Sequence, residues 1–412
     1  MDNSTRTIIQ WNCRGFKPNY DELSLLINDH NPIAVCLQET YLKASDKISI
    51  KNYSLYNSYS TNPERATGGV SVIVNNDTPH RAIPLNTPIA AIAVSVSGHK
   101  TITLCSIYLP PSGRIDPEEL DDLLNQLPSP YILLGDFNGH SLSWGTKPTN
   151  NRGRQIEDFI ARHNLCMFND KSHTYLHPAT GSYTSIDLTL CHPSLLLDFS
   201  WKVGEDDCGS DHFPIFLSHN GPPEKQRVRR WKLHKADWDE YKSLCTQHLT
   251  ANTFTDIDDP IELFSDTLHT IAEKCIPKTS ANPQRFNKPW YNDECKEAIK
   301  ERKRALRVFD QRPTRENLTH FQIFKAKARR TIRKSKRSTW KNYVSKLNSR
   351  SSTKATWDMI RKINGKSKTS KLHHLDTANG KITSVEGISN ALADSFSASS
   401  SSTNCTDEFL KS

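Results

Sequence analysis

The sequence predicts two β-sheets stacked face to face with helices on their outer sides across residues 1–220, and a mostly helical, basic region across residues 221–412. Three observations predict this. Short apolar strands outnumber helices in the first 220 residues, and several alternate apolar with polar at period two. Gly221-Pro222-Pro223 then breaks the pattern. The charge divides at the same place: residues 1–220 carry a net −7 and residues 221–412 a net +16, for a whole-chain net of +9. An acidic front and a basic back predict two functional parts, the second attracted to a polyanion.

The strands come in order. Thr7-Ile8-Ile9-Gln10-Trp11, Ile33-Ala34-Val35-Cys36-Leu37 and Val70-Ser71-Val72-Ile73-Val74 are followed by residues 101–108 and by Tyr131 to Leu134. Residues 185–190 and 213–217 complete the set. Helices fit residues 21–29, 117–126 and 155–163; Pro117 suits a first helical turn, and Glu118 and Glu119 suit the helix's positive end. Beyond the break, Asp259-Pro260 opens a helix with Ile261, Phe264, Leu268, Ile271 and Cys275 on one face. A second helix spans residues 293–309, and a third runs from 314 toward 347, either whole or broken. Residues 285–350 carry a net +15, interleaved with Trp290, Phe309, Phe321, Phe324, Trp340 and Tyr343. Most of these aromatics are expected to pack helix on helix, and a minority to stack on bases. Thr383-Ser-Val-Glu386 reads as a capping box, and residues 395–402 as a frayed serine-rich tail.

The ten cysteines form no Cys-x-x-Cys pair, and five of them, Cys13, Cys36, Cys105, Cys166 and Cys191, lie in or beside apolar runs, which points to a reducing compartment. The first residues have no apolar signal core, and no segment approaches the roughly 18 apolar residues of a membrane span, so neither a signal peptide nor a transmembrane segment is expected.

Chemistry concentrates at strand ends. Tyr131-Ile-Leu-Leu-Gly-Asp-Phe-Asn138 delivers Asp136 and Asn138 to one mouth, which suits a water-activating base beside an anion donor, or else merely a turn. Asn12 ends the first strand and Glu39 the second, where a carboxylate suits a hard cation such as Mg²⁺. Asp187 sits among apolar neighbours and needs a partner, a histidine or a metal. Asp211 and His212 precede the last strand, with His212 placed to be oriented by Asp187. Together these residues suit metal-assisted attack of water on a phosphodiester. The sequence has no phosphate-cradling Gly-x-x-x-x-Gly-Lys loop, nucleophile elbow or His-Glu-x-x-His zinc site.

The order and spacing of Trp11-Asn12, Gln38-Glu39-Thr40, Tyr108, Gly135-Asp136-Phe137-Asn138, Ile186-Asp187 and Ser210-Asp211-His212 resemble the endonuclease/exonuclease/phosphatase superfamily. Gly135 to His140, Trp144-Gly145, Asn151-Arg152-Gly153 and His173-Thr174-Tyr175 resemble, more narrowly, the apurinic-type endonuclease of jockey-like non-LTR retrotransposons. The resemblance implies a deoxyribonuclease I-like, four-layer α/β/β/α sandwich over residues 1–220. It implies Mg²⁺ (or Mn²⁺) held by Glu39 with Asn12 and Asp211 nearby. Asp136 then aligns or deprotonates water, Asn138 and His212 donate to the phosphate, Tyr108 assists, and Asp187 partners His212. Thr174 and Ser210 match rim positions facing DNA, and Arg14 and Arg152 are further expected DNA contacts. Arg14 stands where abasic-site repair relatives carry an acid, against a repair role. Lys288-Pro289-Trp290-Tyr291-Asn292-Asp293-Glu294-Cys295 and the segment around Leu375-Asp376 resemble the linker before a reverse transcriptase, and no Tyr-x-Asp-Asp polymerase motif follows. The expected partners are thus target DNA, element RNA and a reverse transcriptase on a longer element protein, with the nucleus as the expected location. Two other readings stay open: a phosphatase of the same fold acting on inositol or lipid phosphates, and a catalytically idle nucleic-acid-binding remnant.

Overall fold

A computed structural model describes residues 6–59, 68–98, 100–112, 116–221, 231–249, 259–278, 288–347, 352–364, 375–377, 380–382 and 384–399. Two compact units separate. One spans residues 222–286, and the other joins residues 5–221 with residues 287–412.

The strands of the larger unit are β1 (Thr7–Asn12), β2 (Ala34–Gln38), β3 (Tyr53–Ser58), β4 (Val70–Asn75), β5 (His80–Ile83), β6 (Ala90–Ser97), β7 (Thr101–Tyr108) and β8 (Tyr131–Asp136). They continue as β9 (Cys166–Met167), β10 (Tyr175–Leu176), β11 (Tyr183–Thr184), β12 (Asp187–Cys191), β13 (Phe199–Val203) and β14 (Ile215–His219). One six-stranded sheet orders β13-β14-β1-β2-β4-β3, and a second orders β5-β6-β7-β8-β12-β9. Both are mixed: β1 runs parallel to β2 and β7 to β8, and the other pairings are antiparallel. β10 and β11 form a separate hairpin.

Period-two alternation makes four layers. Ile8, Ala34, Cys36, Val72 and Val74 of the first sheet face Val94, Leu104, Ile132, Leu134 and Cys191 of the second. Alternate positions Ile9, Trp11, Val35, Leu37 and Ile73 turn outward onto α1 (Phe16–His30) through Phe16, Leu23, Leu26 and Ile27. On the other side Ala93, Cys105, Ile107, Leu133 and Leu190 meet α2 (Pro117–Asn125) and α3 (Asn151–Arg162). This is the predicted α/β/β/α sandwich. Pro117 does open α2, behind an Asp116 cap whose carboxylate accepts from the Glu118 amide.

Some elements differ from expectation. α1 starts at Phe16, five residues early, and β3, β5, β6 and β13 carry mixed surfaces that hide their alternation. β12 starts only at Asp187, because Ser185 is tied by side-chain and backbone bonds to Thr146 and Ser172.

The smaller unit holds α4 (Trp238–His248) and α5 (Pro260–Cys275), where Ile271, Cys275 and Ile276 pack with Trp231, Tyr241 and Leu244. In the larger unit α6 (Asp293–Gln311) and α7 (Arg315–Val344) form an antiparallel hairpin across Arg312-Pro313-Thr314, with Thr314 capping the Asn317 amide. α7 is unbroken. Phe309, Leu318 and Phe321 of this hairpin pack with Leu176 and Phe213, and Trp290 and Ile332 pack with Leu25 of α1. Much of the aromatic interleaving is therefore core. α8 (Thr353–Asn364), the pair β15 (Leu375–Thr377) and β16 (Gly380–Ile382), and α9 (Val385–Ser399) follow. Residues 395–399 are helical rather than frayed; Thr383 of the capping box and residues 400–402 lie outside the described residues.

Candidate active site

The space between the sheets changes character along the strands. Ile8 is followed on the same face by Gln10 and Asn12, Cys36 by Gln38, Leu104 by Ser106 and Tyr108, and Leu134 by Asp136. Antiparallel β12 contributes Thr189 and Asp187 in the same rows, with Asp187 opposite Asp136 and Asp136 opposite Tyr108. The polar positions brace one sheet against the other. Gln10 donates to the Gly135 carbonyl at 3.0 Å and accepts from the Thr189 hydroxyl at 2.8 Å. Gln38 donates to Ser106 at 2.9 Å and to the Leu134 carbonyl at 3.2 Å. Gly135 has no alternative at its position, because a Cβ there would lie 2.1 Å from the Ile107 carbonyl oxygen on β7.

Above this brace the candidate residues converge. The Asn12 amide donates to Asp136 Oδ2 at 2.9 Å and to Glu39 Oε1 at 3.2 Å. His212 Nδ1 meets Asp187 Oδ2 at 2.8 Å, and its Nε2 lies 4.0 Å from Asp136 Oδ2. Asp187 Oδ2 also accepts from the Thr174 hydroxyl at 2.7 Å. The Tyr175 ring packs on the His212 ring with centroids 4.7 Å apart, and the Trp11 indole donates to the His212 carbonyl. Asp136, Asp187 and His212 are all buried. Burial first, and then the neighbouring Asp187 charge, push the Asp136 carboxyl up to about 8. Burial disfavours a charged His212, but the Asp187 carboxylate outweighs it and carries the imidazole up to about 10. Burial, followed by the Glu39 and Asp136 charges, raises the Tyr108 phenol, so it remains a neutral donor.

Other expected site residues are placed differently. Asn138 adopts a positive φ of 50°, its backbone amide donates to Asp136 Oδ1 at 3.1 Å, and its side-chain amide turns back to the Leu109 carbonyl at 3.0 Å. Asp211 is paired with Arg14, whose side chain is half exposed. Thr174 and Ser210 are not on a rim. Both are buried, Thr174 bonding Asp187 and Ser210 donating to the Asn12 carbonyl at 2.8 Å. Arg152 is likewise turned inward, onto the Pro110 carbonyl at 2.5 Å. Its neighbour Gly153 lets α3 approach His140, whose carbonyl oxygen a Cβ would meet at 1.8 Å. Sequence reasoning gave no role to Gln10, Gln38, Ser106, Thr189 and Tyr41; Tyr41 donates to Glu39 Oε2. The signal for the first four was present, since each continues an apolar alternation by two residues.

The donor set fits a divalent cation. Asp136, Asp187 and His212 offer ligand atoms within 4.8 Å of one another and could hold a metal ion. Glu39 takes its bonds from neutral Asn12 and Tyr41, and among the described residues no lysine or arginine forms an ion pair with it. A carboxylate at the mouth with neutral partners, as Glu39 has, is the hard oxygen ligand that such a cation takes.

Residues 102–216 match the sequence profile of a family described as endonuclease-reverse transcriptase. The chain is 25% identical over 305 residues to the RNA-directed DNA polymerase from mobile element jockey of Drosophila melanogaster, covering 69% of this chain and 32% of that protein. Its counterpart from Drosophila funebris is 27% identical over 301 residues, covering 68% of this chain and 32% of that protein. The chain thus spans about a third of the length of the curated relatives it matches. Among solved structures, the endonuclease domain of TRAS1, a telomere-specific non-LTR retrotransposon, aligns with a TM-score of 0.46 at 22% identity, covering 54% of this chain and all of that one. Over residues 102–216 the chain thus resembles the endonuclease-reverse transcriptase family, and over about 300 residues it resembles the RNA-directed DNA polymerases of mobile element jockey.

Proposed function

We propose that this chain is a member of the endonuclease-reverse transcriptase family and hydrolyses DNA phosphodiester bonds, nicking one strand of a target duplex with the help of Mg²⁺. The observation that carries the reading is His212, wedged between Asp187 at 2.8 Å and Asp136 at 4.0 Å, with Asn12 tying Asp136 to Glu39. The roles follow from the chemistry. Asp136, held by Asn12 and by the Asn138 amide, aims a water at phosphorus and takes its proton. Protonated His212 presents Nε2 to a phosphate oxygen, with Asp187 fixing the ring. Tyr108, a neutral phenol, and the spare amide hydrogen of Asn138 donate to the same phosphate. Glu39, with Asn12 and Asp211 nearby, would hold the cation, which when bound offsets the charge that develops on the phosphate.

Nucleic acid as the owner of that phosphate is supported by α7. Arg330, Arg333, Lys334, Arg337 and Lys341 recur at three- and four-residue spacing and are exposed. Contacts of this kind weaken steeply with salt. The matched relatives are named RNA-directed DNA polymerases, which supports a nick whose 3′ hydroxyl primes reverse transcription by a longer element protein in the nucleus.

Supercoiled plasmid incubated with the chain and Mg²⁺ tests this. Open circles should accumulate, EDTA should stop them, and Asp136→Ala and His212→Ala should each lower the rate by about 10²–10⁴-fold. Nicking that survives both substitutions would falsify the assignment.

A further inference from the structure

We propose that Lys325 and Arg329 on α7, backed by Arg302 on α6, are positioning residues of this active site. They set the course of residues 206–212, and through it the place of Asp211 and His212. The inference rests on the nuclease reading of the site but is carried by separate observations.

Residues 206–212 need outside help to hold their path. Asp206 and Asp207 are adjacent in sequence and both buried, so their charges repel one another and have lost water. Cys208 and Gly209 both take left-handed backbone conformations, φ 51° and 86°. The compensating groups come from the helical hairpin. Arg302, fully buried, forks onto Asp206 with contacts of 3.0 and 2.7 Å and reaches Glu22 of α1 at 2.6 Å. Lys325 Nζ lies 2.6 Å from Asp207 Oδ2 and donates to the Ser210 carbonyl. Arg329 donates to the Gly209 carbonyl at 2.9 Å and to Asn19 Oδ1 at 3.0 Å. Asn19 in turn donates to the Cys13 carbonyl at 2.6 Å, one residue past Asn12.

One helix therefore grips two of the loops that form the mouth: the loop after β1 and the segment ahead of β14. The grip is anchored by the apolar seams around Phe321 and Ile332. α7 has two basic sets. Lys325, Arg329 and Lys336 turn inward onto carboxylates and carbonyls, whereas the residues at 330, 333, 334, 337 and 341 are exposed. The inward set acts on the site's geometry and the outward set on substrate affinity.

The test uses the full chain in two paired variants, with two readouts taken well below the melting temperature. In Lys325→Ala/Arg329→Ala, nicking at saturating plasmid should fall about tenfold while the half-saturating DNA concentration stays within about twofold, the size of effect seen when groups supporting a site's ligands are lost. Lys325→Arg/Arg329→Lys should restore most of the rate. Lys334→Ala/Arg337→Ala should do the reverse, raising half-saturation several-fold with the saturated rate unchanged. Amide hydrogen exchange is the second readout and needs no activity. In the Lys325/Arg329 variant, peptides covering 206–213 should exchange about tenfold faster while those covering β8 do not change. Unchanged exchange in 206–213, or acceleration spread evenly over the sandwich, overturns the proposal. If the unmodified chain cuts no DNA, the nuclease reading fails, and the exchange experiment still decides the positioning role.

Discussion

The two ends of the layer between the sheets are built from the same rows of the same strands, yet one is hydrocarbon and the other is hydrogen-bonded. Ile8, Cys36, Leu104 and Leu134 fill the first end; Gln10 and Asn12, Gln38, Ser106 and Asp136 fill the second. The apolar end obtains cohesion from area removed from water and from packing, which ask little of direction. The polar end obtains direction. Each buried amide and hydroxyl there fixes a neighbour's angle, and a mismatch would cost a stranded polar group. The same alternation that makes the core thus aims the site, and the change from one to the other happens within two residues on each strand.

The comparison predicts that damage at the polar end appears in rate and damage at the apolar end in stability. Among substitutions that leave Asp136 and His212 in place, Asp187→Asn should have the largest effect. It keeps the shape of a side chain opposite Asp136 but removes the charge that holds the His212 imidazolium, and it places an amide where Nδ1–H must donate. Nicking should fall by about 100-fold, the upper end for a lost partner of a functional histidine, with the melting temperature little changed. The pH titration of the His212 ring by NMR checks the cause, because its apparent pKa should move down from about 10. An unmoved ring titration would separate the rate loss from this account.

Leu104→Ala is the counterpart at the other end. Leu104 is buried between Val94, Ile132 and the first sheet, and truncation should cost about 2–5 kcal/mol of stability through lost transfer energy and a cavity. Denaturant unfolding measures that cost. At a temperature where both proteins are folded, the saturated nicking rate should be the same. A rate loss comparable with that of Asp187→Asn would break the distinction between the two ends.

How much of this was legible follows from sequence distance. The strand-end acids announce themselves because an ionisable residue two positions past an apolar run is visible within a single strand, as at Asp136 after Leu134 and Glu39 after Leu37. The sandwich is legible for the same reason, since Ile8 and Ile9, or Leu133 and Leu134, must face opposite layers. The family resemblance matches Thr174 and Ser210 to a DNA-facing rim, but a hydroxyl beside an acid serves equally well as a substrate contact or as a support, and their burial makes them supports. Arg152 is the same case, its guanidinium spent on the Leu109 and Pro110 carbonyls. The grip of the helical hairpin was beyond reach. Arg302 and Glu22 stand 280 positions apart, and in a segment of net +15 nothing local marks which cations turn inward.

Gln38 gives the smallest and sharpest contrast. Its amide nitrogen serves Ser106 and the Leu134 carbonyl, whereas its Oε1 is buried with no hydrogen-bond partner among the described residues. Gln38→Met removes two modest bonds together with a stranded acceptor, in a side chain of nearly the same length. The terms oppose, so unfolding free energy should change by no more than about 1 kcal/mol. Ser106 retains its own donation to the Leu37 carbonyl at 3.1 Å, which limits the damage further. Gln38 adjoins Glu39, however, and freeing the end of β2 should lower nicking more than it lowers stability. The measurement is the pair of ratios, saturated rate and unfolding midpoint, on one preparation. A stability loss as large as that of Leu104→Ala, with the rate intact, would mean that the polar end holds the sheets together rather than aiming what lies above them.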